Sequence, residues 1–369
     1  MINTNFSKKI NLAIKYPKVA INTLLDPILF NKKETKFPRL INCFITEQCN
    51  FRCPMCHVGD SRQKYSSVLS FSDIKKIADQ GHKYGISFQL SGGEPLMHPE
   101  IFKIIKYLHN KKIPTALVTN GLLLEKYAQD IVNSGLDFLA VSLDGPDEPT
   151  QYLRGFVKGS FRHIIKGITK IIKIRGKNHF PNIRVATVIN KSNLLNFDKI
   201  YPLVKKMKVD QWSISHFFYY HNKIKTAQNN FYKKNHTGND VWGQNMGSNI
   251  EYFTKVQRDI LKNKISKILN YKNKKIIISI NDKVDLEKYY TGVIPSKKSS
   301  CVSPFQQVFL RGNGDVEICH GFIAGNIHQD SLLKIWHSEK VNNFRKIFTK
   351  NKTIPACFRC CALDIKFDK

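Results

Sequence analysis

Between residues 39 and 218 two hydrophobic patterns alternate with regular punctuation. The short runs "LINCFIT", "ISFQLS", "TALVTN", "FLAVSL", "IRVATVI" and "QWSISHFF" predict strands, because β-branched and aromatic residues crowd into stretches of strand length. Between them apolar side chains recur every three or four positions. Ile74, Ile77 and Ala78 form one such face, opened by Ser70 as N-cap with Asp73 three residues on, and closed near Gly85. Ile101, Ile104, Ile105 and Leu108 form the next, behind Pro99 at the helix start. The spacing predicts further helices around 124–132, 161–174 and 193–207. Strands alternating with helices imply parallel β-α units, and the expected architecture is α/β, a partial (βα)6 barrel.

In such folds the loops at the C-terminal ends of the strands converge on one mouth. The unusual residues stand there: three cysteines after strand one, "SGGEP" after strand two, "TNG" after three, "SLDG" after four and "NKSN" after five. Residues 219–249 lose periodicity and gain Asn, Lys and Gly, which predicts a long loop or insertion. A helix near 250–270 and a strand in "KKIIISIND" follow, and "QQVFLRGNGDVEICHG" reads as a hairpin about a Gly-Asn-Gly turn. The changes of texture divide the chain into an N-terminal extension (1–38), a core (39–218), an insertion or linker with a helix (219–295) and a small C-terminal hairpin and helix domain (296–369).

Charge and composition narrow the classes. No stretch approaches the roughly 18 consecutive apolar residues of a membrane-spanning helix. Lys and Arg number 59 against 28 Asp and Glu, a formal net charge of +31 that would attract nucleic acid, anionic lipid or an acidic substrate. The lysines are scattered beside Asn and Ile throughout, a pattern also expected from biased base composition in the coding DNA. No recognised RNA-binding module or arginine-rich stripe accompanies them, which ranks a nucleic-acid partner low. The basic residues among the first 30 leave an anionic or membrane-surface contact open, through a helix interrupted at Pro17 and Pro27. The apolar runs at the N-terminus are broken by Lys15, Lys18 and Asp26, with no small-residue cleavage site. Nine cysteines clustered in such a sequence point to metal binding in a reducing cytoplasm rather than disulfides.

"ITEQCNFRCPMCHVGD" places Cys49, Cys53 and Cys56 in one short loop with no fourth cysteine. Structural zinc wants four ligands, and His57, adjacent to Cys56, is poorly placed to close a tetrahedron. Three thiolates suit three corners of a 4Fe-4S cluster whose fourth iron stays open for a small molecule. Cys43, inside the first strand, reads as a buried thiol. In "SGGEPLMH" the glycines permit close backbone approach, and Glu94 can accept from an ammonium group.

With "CNFRCPMC" and "SGGEP" together, the sequence resembles the radical S-adenosylmethionine enzymes over about residues 39–218. The resemblance implies that Cys49, Cys53 and Cys56 hold the cluster while the amino and carboxylate groups of S-adenosylmethionine complete its open iron. One electron then cleaves the sulfonium, giving methionine and a 5'-deoxyadenosyl radical that abstracts a substrate hydrogen. By the same resemblance Gly92, Gly93 and Glu94 bind the methionine amino group, and Ser142 and Arg154 bind its carboxylate. Asn120, Asp144 and Asn190 are candidates for ribose contacts, and Met55 stands where many members of the family place an aromatic residue. Cys301, Gly314, Cys319, "GNI" at 325–327, Cys357 and Cys360 resemble the auxiliary-cluster extension called SPASM, or its shorter twitch form. One auxiliary 4Fe-4S cluster fits that supply. Cys361 can exchange with Cys360, and a zinc ribbon remains the alternative for this tail.

A fully thiolate-ligated auxiliary cluster suits electron transfer. The expectation is therefore oxidation of a small alcohol, sugar or aminocyclitol-like molecule, or its epimerisation with Cys361 as candidate hydrogen donor. A flavodoxin or ferredoxin is the expected reductase. Peptide maturation ranks second, because the 38 residues ahead of the first strand are short for a leader-recognition domain. RNA modification is the alternative from another class. Position alone puts His216, Phe217 and Phe218 on the substrate wall.

Overall fold

The computed structural model describes residues 12–21, 35–56, 67–217, 222–235, 253–271, 276–280, 284, 286–291, 301–319, 321–351, 354, 355 and 357. The expected strands form as β1 (Leu40–Thr46), β2 (Ser87–Gly92), β3 (Thr115–Thr119), β4 (Phe138–Ser142), β5 (Asn182–Ile189) and β6 (Gln211–His216). A seventh, β7 (Ile277–Ile280), extends the series, and β8 (Gln307–Leu310), β9 (Asp315–Cys319) and β10 (Phe322–Asn326) come from the C-terminal region. All ten lie in one sheet of order β10-β9-β8-β1-β2-β3-β4-β5-β6-β7. Neighbours from β1 to β7 are parallel, and β8 pairs parallel with β1 before turning antiparallel into β9. The partial barrel is thus continued at both edges. The strand in "KKIIISIND" and the two hairpin strands were expected, but not their places at the edges of this sheet.

Helices α1 (Phe71–Gly81), α2 (Ile101–Asn110), α3 (Leu124–Asn133), α4 (Glu148–Gly155), α5 (Ser160–Arg175) and α6 (Ile200–Met207) carry the crossovers. The Ser70 hydroxyl accepts from the Asp73 amide at 3.2 Å while the Asp73 carboxylate accepts from the Ser70 amide at 2.9 Å, closing the predicted capping box. Ile74, Ile77 and Ala78 are buried on α1, and Ile101, Ile104, Ile105 and Leu108 on α2, as their periodicity requires. The last of these helices begins later than expected, at Ile200, behind a short 3-10 turn at Phe197–Lys199.

The expected loop at 219–249 is corrected in its first half, where α7 (Asn222–Lys234) forms. Its buried residues Ile224, Gln228 and Tyr232 recur every four positions, but polar neighbours and a Gln among the inward residues mask the stripe. Residues 236–250 lie outside the described residues. Helix α8 (Lys255–Leu269) follows, opened by a Thr254–Gln257 capping box, and then α9 (Leu286–Thr291).

C-terminal helices α10 (Ser303–Gln306), α11 (Leu332–Trp336) and α12 (Glu339–Asn351) tie the last part of the chain to the entry of β1. The Trp336 indole donates to the Thr35 carbonyl at 2.7 Å, and the Arg39 amide donates to the Gln306 carbonyl at 2.7 Å. The Arg345 guanidinium stacks over the Trp336 ring at 4.0 Å. At the same end of the sheet, where β4 begins, residues 12–21 are helical on either side of Tyr16. Both oxygens of buried Asp137 accept from the Tyr16 hydroxyl, at 2.7 and 2.8 Å, and Oδ1 also accepts from Lys15 at 2.7 Å. One basic residue of the N-terminal extension is therefore paired inside the fold. Among the described residues no helix is long and apolar enough to cross a membrane.

Candidate functional site

Cys49, Cys53 and Cys56 occupy the loop that leaves β1, each half-buried. The loop is held by what surrounds it. Phe51 is fully buried, and a Cβ on Gly155 of α4 would stand 2.2 Å from its ring. The Arg52 amide donates to the Gly155 carbonyl at 3.2 Å, and the Cys56 amide donates to the Cys53 carbonyl at 3.1 Å. Arg52 also donates to the Cys49 carbonyl at 3.0 Å.

The Gly92–Glu94 strip lies against the same loop. The Gly93 amide donates to the Thr46 carbonyl and the Glu94 amide to the Gln48 carbonyl, both at 2.7 Å. Gly92 has φ +122°, and a Cβ on Gly93 would meet the Gln48 carbonyl oxygen at 2.0 Å. The two glycines are thus demanded by backbone packed on backbone. The Glu94 side chain, 0% exposed, turns into the fold: Oε1 accepts from Leu96 N at 3.0 Å and Thr119 Oγ1 at 2.7 Å, and Oε2 from Asn120 N at 2.7 Å. Burial pushes its carboxyl up to about 7 against the pull of these three donors.

Asn120, at the end of β3, donates through Nδ2 to Asn50 Oδ1 at 2.7 Å and lies 3.8 Å from Cys49 Sγ. Ser142 ends β4, opposite Ala186 of β5. Asp144 follows, and its Oδ2 accepts from Arg154 Nη1 while Oδ1 accepts from the Val188 amide at 2.8 Å. Arg154 projects from the last turn of α4, and its Nε is buried with no hydrogen-bonding partner among the described residues. Burial disfavours its charge, yet Asp144 and the nearby Cys53 hold its proton more firmly than usual. Cys53 in turn feels Arg154, Cys56, Cys49 and Asp144, so the triplet and the Arg154–Asp144 pair form one electrostatic unit. Burial pushes the Cys53 thiol up to about 11, so metal binding must drive proton release here.

Asn190 is in a different situation. Its Oδ1 accepts from Ser192 Oγ at 2.5 Å and Asn193 N at 3.2 Å, and its Nδ2 donates to the Val188 carbonyl at 3.3 Å, so the side chain builds the turn after β5. His216, expected on the substrate wall, is buried: Nδ1 is 2.9 Å from the Tyr290 hydroxyl, in a cluster where Phe253 and Tyr290 stack at 4.2 Å. Phe217 is half-buried and accepts at its carbonyl from the Tyr289 hydroxyl at 2.8 Å. Phe218 and His57 lie outside the described residues.

In the C-terminal region Cys301 is half-buried, Cys319 ends β9, and Cys357 is buried. Burial pushes the Cys357 thiol up to about 12, with Cys301 close enough to add to the rise. Tyr232 of α7, 4% exposed, has its phenol pushed up by burial and by Cys319, Glu317 and Cys357 around it. Cys319 and Cys357 thus both lie in the surroundings of Tyr232, and Cys301 in those of Cys357. Cys360 and Cys361 lie outside the described residues. No three Cys, His, Asp or Glu side chains among the described residues are drawn tight enough for a single metal ion. A cube that spreads its irons over four corners asks for wider spacing, and three thiols beside a guanidinium with a free Nε suit such a cluster with an anionic ligand.

The sequence reading passed over Phe51, Glu47, Gln151, Arg311, Glu317 and Tyr232. Gln151 Oε1 accepts from the Asp144 and Gly145 amides at 2.9 and 3.1 Å, which fixes the Asp144 turn. The Phe51 in "CNFRC" was a readable signal, an apolar residue inside a polar loop. The others act through partners distant in sequence.

Residues 43–215 match the model of the radical SAM superfamily, and residues 301–361 match the SPASM iron-sulfur cluster-binding domain. A probable GTP 3',8-cyclase of Methanococcus maripaludis is 38% identical over 146 residues, covering 38% of this chain and 49% of that protein. The chain thus spans about half the length of the curated relatives it matches. Among solved structures, Streptococcus suis SuiB bound to S-adenosylmethionine superposes with TM-score 0.64 at 16% identity, over 96% of this chain and 83% of that one. Native anSMEcpe with bound AdoMet superposes with TM-score 0.58 at 17% identity, over 87% and 86%. The chain thus carries a radical SAM domain over residues 43–215 and a C-terminal SPASM domain over residues 301–361.

Proposed function

We propose that this protein is a radical S-adenosylmethionine enzyme that oxidises or epimerises a small hydroxyl-bearing molecule, an alcohol, sugar or aminocyclitol, with an auxiliary 4Fe-4S cluster carrying electrons. Cys49, Cys53 and Cys56 hold the first cluster, in a core of 39–218, and Cys301, Cys319, Cys357 and Cys360 or Cys361 hold the second, in a unit of 296–369. When bound, the first cluster supplies S-adenosylmethionine with the electron that releases the hydrogen-abstracting radical. The observation that carries the reading is the grouping of three half-buried thiols with Arg154, whose buried Nε has no protein partner among the described residues and suits a ligand carboxylate. Ser142 stands on the neighbouring strand end as the second carboxylate contact. The Gly92–Glu94 strip offers the methionine ammonium its backbone, since the Glu94 carboxylate is already engaged by three protein donors. Asn120, beside Cys49, and Asp144, paired to Arg154, orient these groups.

Oxidation is favoured because Cys319 and Cys357 are buried around Tyr232, an enclosure suited to electron transfer rather than substrate contact. A flavodoxin or ferredoxin supplies the electron, in the reducing cytoplasm that cysteines clustered for metal binding suit. The test is anaerobic. The protein is reconstituted with iron and sulfide, reduced and given S-adenosylmethionine, and 5'-deoxyadenosine is measured against the Cys49→Ala, Cys53→Ala, Cys56→Ala triple variant. Product from the intact protein alone supports the reading. Equal product from both sinks it.

A further inference from the structure

Two buried carboxylates, one bonded to it and one within its electrostatic range, surround Arg311 between the regions that carry the two cysteine sets. Glu317 of β9, 0% exposed, stands two residues before Cys319. Its Oε2 accepts from Arg311 Nε at 3.1 Å and Nη2 at 3.0 Å, and its Oε1 accepts from the Gly321 amide at 2.7 Å. One carboxylate therefore clamps the turn that follows Cys319 onto the β8–β9 turn. Glu47, 7% exposed and two residues before Cys49, has an Oε2 that is buried with no hydrogen-bonding partner among the described residues, and its carboxylate lies within electrostatic range of the same Arg311.

The backbones meet at the same place. The Glu47 amide donates to the Ser67 carbonyl at 3.2 Å, Thr46 bridges Val68, and a Cβ on Gly312 would stand 2.7 Å from the Ser67 carbonyl oxygen. The β8–β9 turn is thus pressed on the segment that closes the first cysteine loop. Burying two acids and a guanidinium is a poor way to gain stability, because desolvation offsets most of the attraction. A guanidinium fork fixes geometry well, and the outer groups that orient ligands also tune what the ligands hold.

We propose that Arg311 is a positioning residue that sets the auxiliary site, holding Cys319 through Glu317 and linking it through Glu47 to the loop of Cys49. The inference rests on the reading that Cys301, Cys319 and Cys357 hold an iron-sulfur cluster. Arg311→Lys keeps the charge and loses the fork. Glu47→Gln keeps the shape and removes a charge that belongs to the first loop, not to the auxiliary region.

The experiment uses the full chain carrying the Cys49→Ala, Cys53→Ala, Cys56→Ala substitutions, reconstituted anaerobically, so that the auxiliary cluster alone gives the iron signal. Its reduced fraction is followed by electron paramagnetic resonance during a potentiometric titration. Arg311→Lys is expected to change the reduced-to-oxidised ratio at fixed potential about tenfold with a broadened signal, and Glu47→Gln about threefold with an unchanged melting temperature. Iron loading with the ratio and line shape of the parent in both variants overturns the inference and leaves the proposed function standing. A parent that takes up zinc or no iron overturns the auxiliary-cluster reading and the inference with it. If Arg311→Lys fails to fold, Glu47→Gln decides alone.

Discussion

The two cysteine sets are built by opposite routes. The first is local: Cys49, Cys53 and Cys56 share one loop after β1, and the fold's task is to anchor that loop with Phe51, Gly155 and the Gly92–Glu94 strip. The second is assembled from a distance: Cys301 precedes α10, Cys319 ends β9, and Cys357 follows α12, with Tyr232 arriving from α7. A local site can be read from spacing, whereas a distributed one exists only once β8 has paired with β1. The first should therefore survive damage to the second, and the reverse dependence should be weaker still.

The largest effect tests that independence. Replacing Cys49, Cys53 and Cys56 by Ala should abolish 5'-deoxyadenosine formation while the auxiliary iron remains. Replacing Cys319 and Cys357 should remove the auxiliary iron and leave the first cluster able to form. Iron and sulfide analysis of both variants, with the product assay, separates the outcomes. Loss of both clusters in either variant would break the comparison and make the two sites one cooperative unit.

Legibility followed the same division. The strand series, the Ser70 capping box and the placement of motifs at strand ends were readable, because period and capping are local properties of the chain. The return of β8 to the edge of β1 was not, since a four-residue strand carries no mark of its neighbour. Helix α7 was hidden because Gln228 sits on its buried face beside a lysine-rich exterior. The same limit held within the site. The resemblance singled out Arg154, but its pairing with Asp144 depends on α4 folding back over the end of β4.

That pairing gives the next prediction. Asp144→Asn leaves the Arg154 guanidinium buried without its counter-charge, and breaking a buried pair in this way costs about 3–5 kcal/mol. Urea unfolding should register the loss, and S-adenosylmethionine binding by the reconstituted protein should weaken in parallel. Unchanged stability would mean that Arg154 is satisfied by the first cysteine loop alone, and that this site is more self-contained than its geometry implies.

A pH titration of stability probes the first region through Glu94, whose three donors are uncharged and whose carboxyl is lifted from 4.5 to about 7. Between those values the folded protein holds a proton that the unfolded chain releases. The contribution is therefore full below 4.5 and is lost as pH rises through about 7, an expected fall of roughly 3 kcal/mol. Unfolding of the apoprotein from pH 5 to 8 should show the slope, and Glu94→Gln should flatten it. A slope that persists in Glu94→Gln would assign the proton elsewhere.

The smallest effect compares a glycine from each region. A Cβ on Gly93 meets the Gln48 carbonyl oxygen at 2.0 Å and its carbon at 2.6 Å, main-chain atoms that can yield only by moving the first cysteine loop. A Cβ on Gly325 meets Ile335 side-chain atoms at 3.1 to 3.4 Å, which a small rotation can relieve. Gly93→Ala should cost near the upper end of the about 1–3 kcal/mol of overpacking, and Gly325→Ala less than about 1 kcal/mol. The iron content should distinguish them more sharply than the stability, because displacing Gln48 moves its neighbour Cys49 directly, whereas the Ile335 side chain can rotate without moving main chain. Equal iron loss in the two variants would show that the SPASM region, too, depends on backbone placed to a few tenths of an ångström, and that distance in sequence does not loosen a site once the sheet has assembled it.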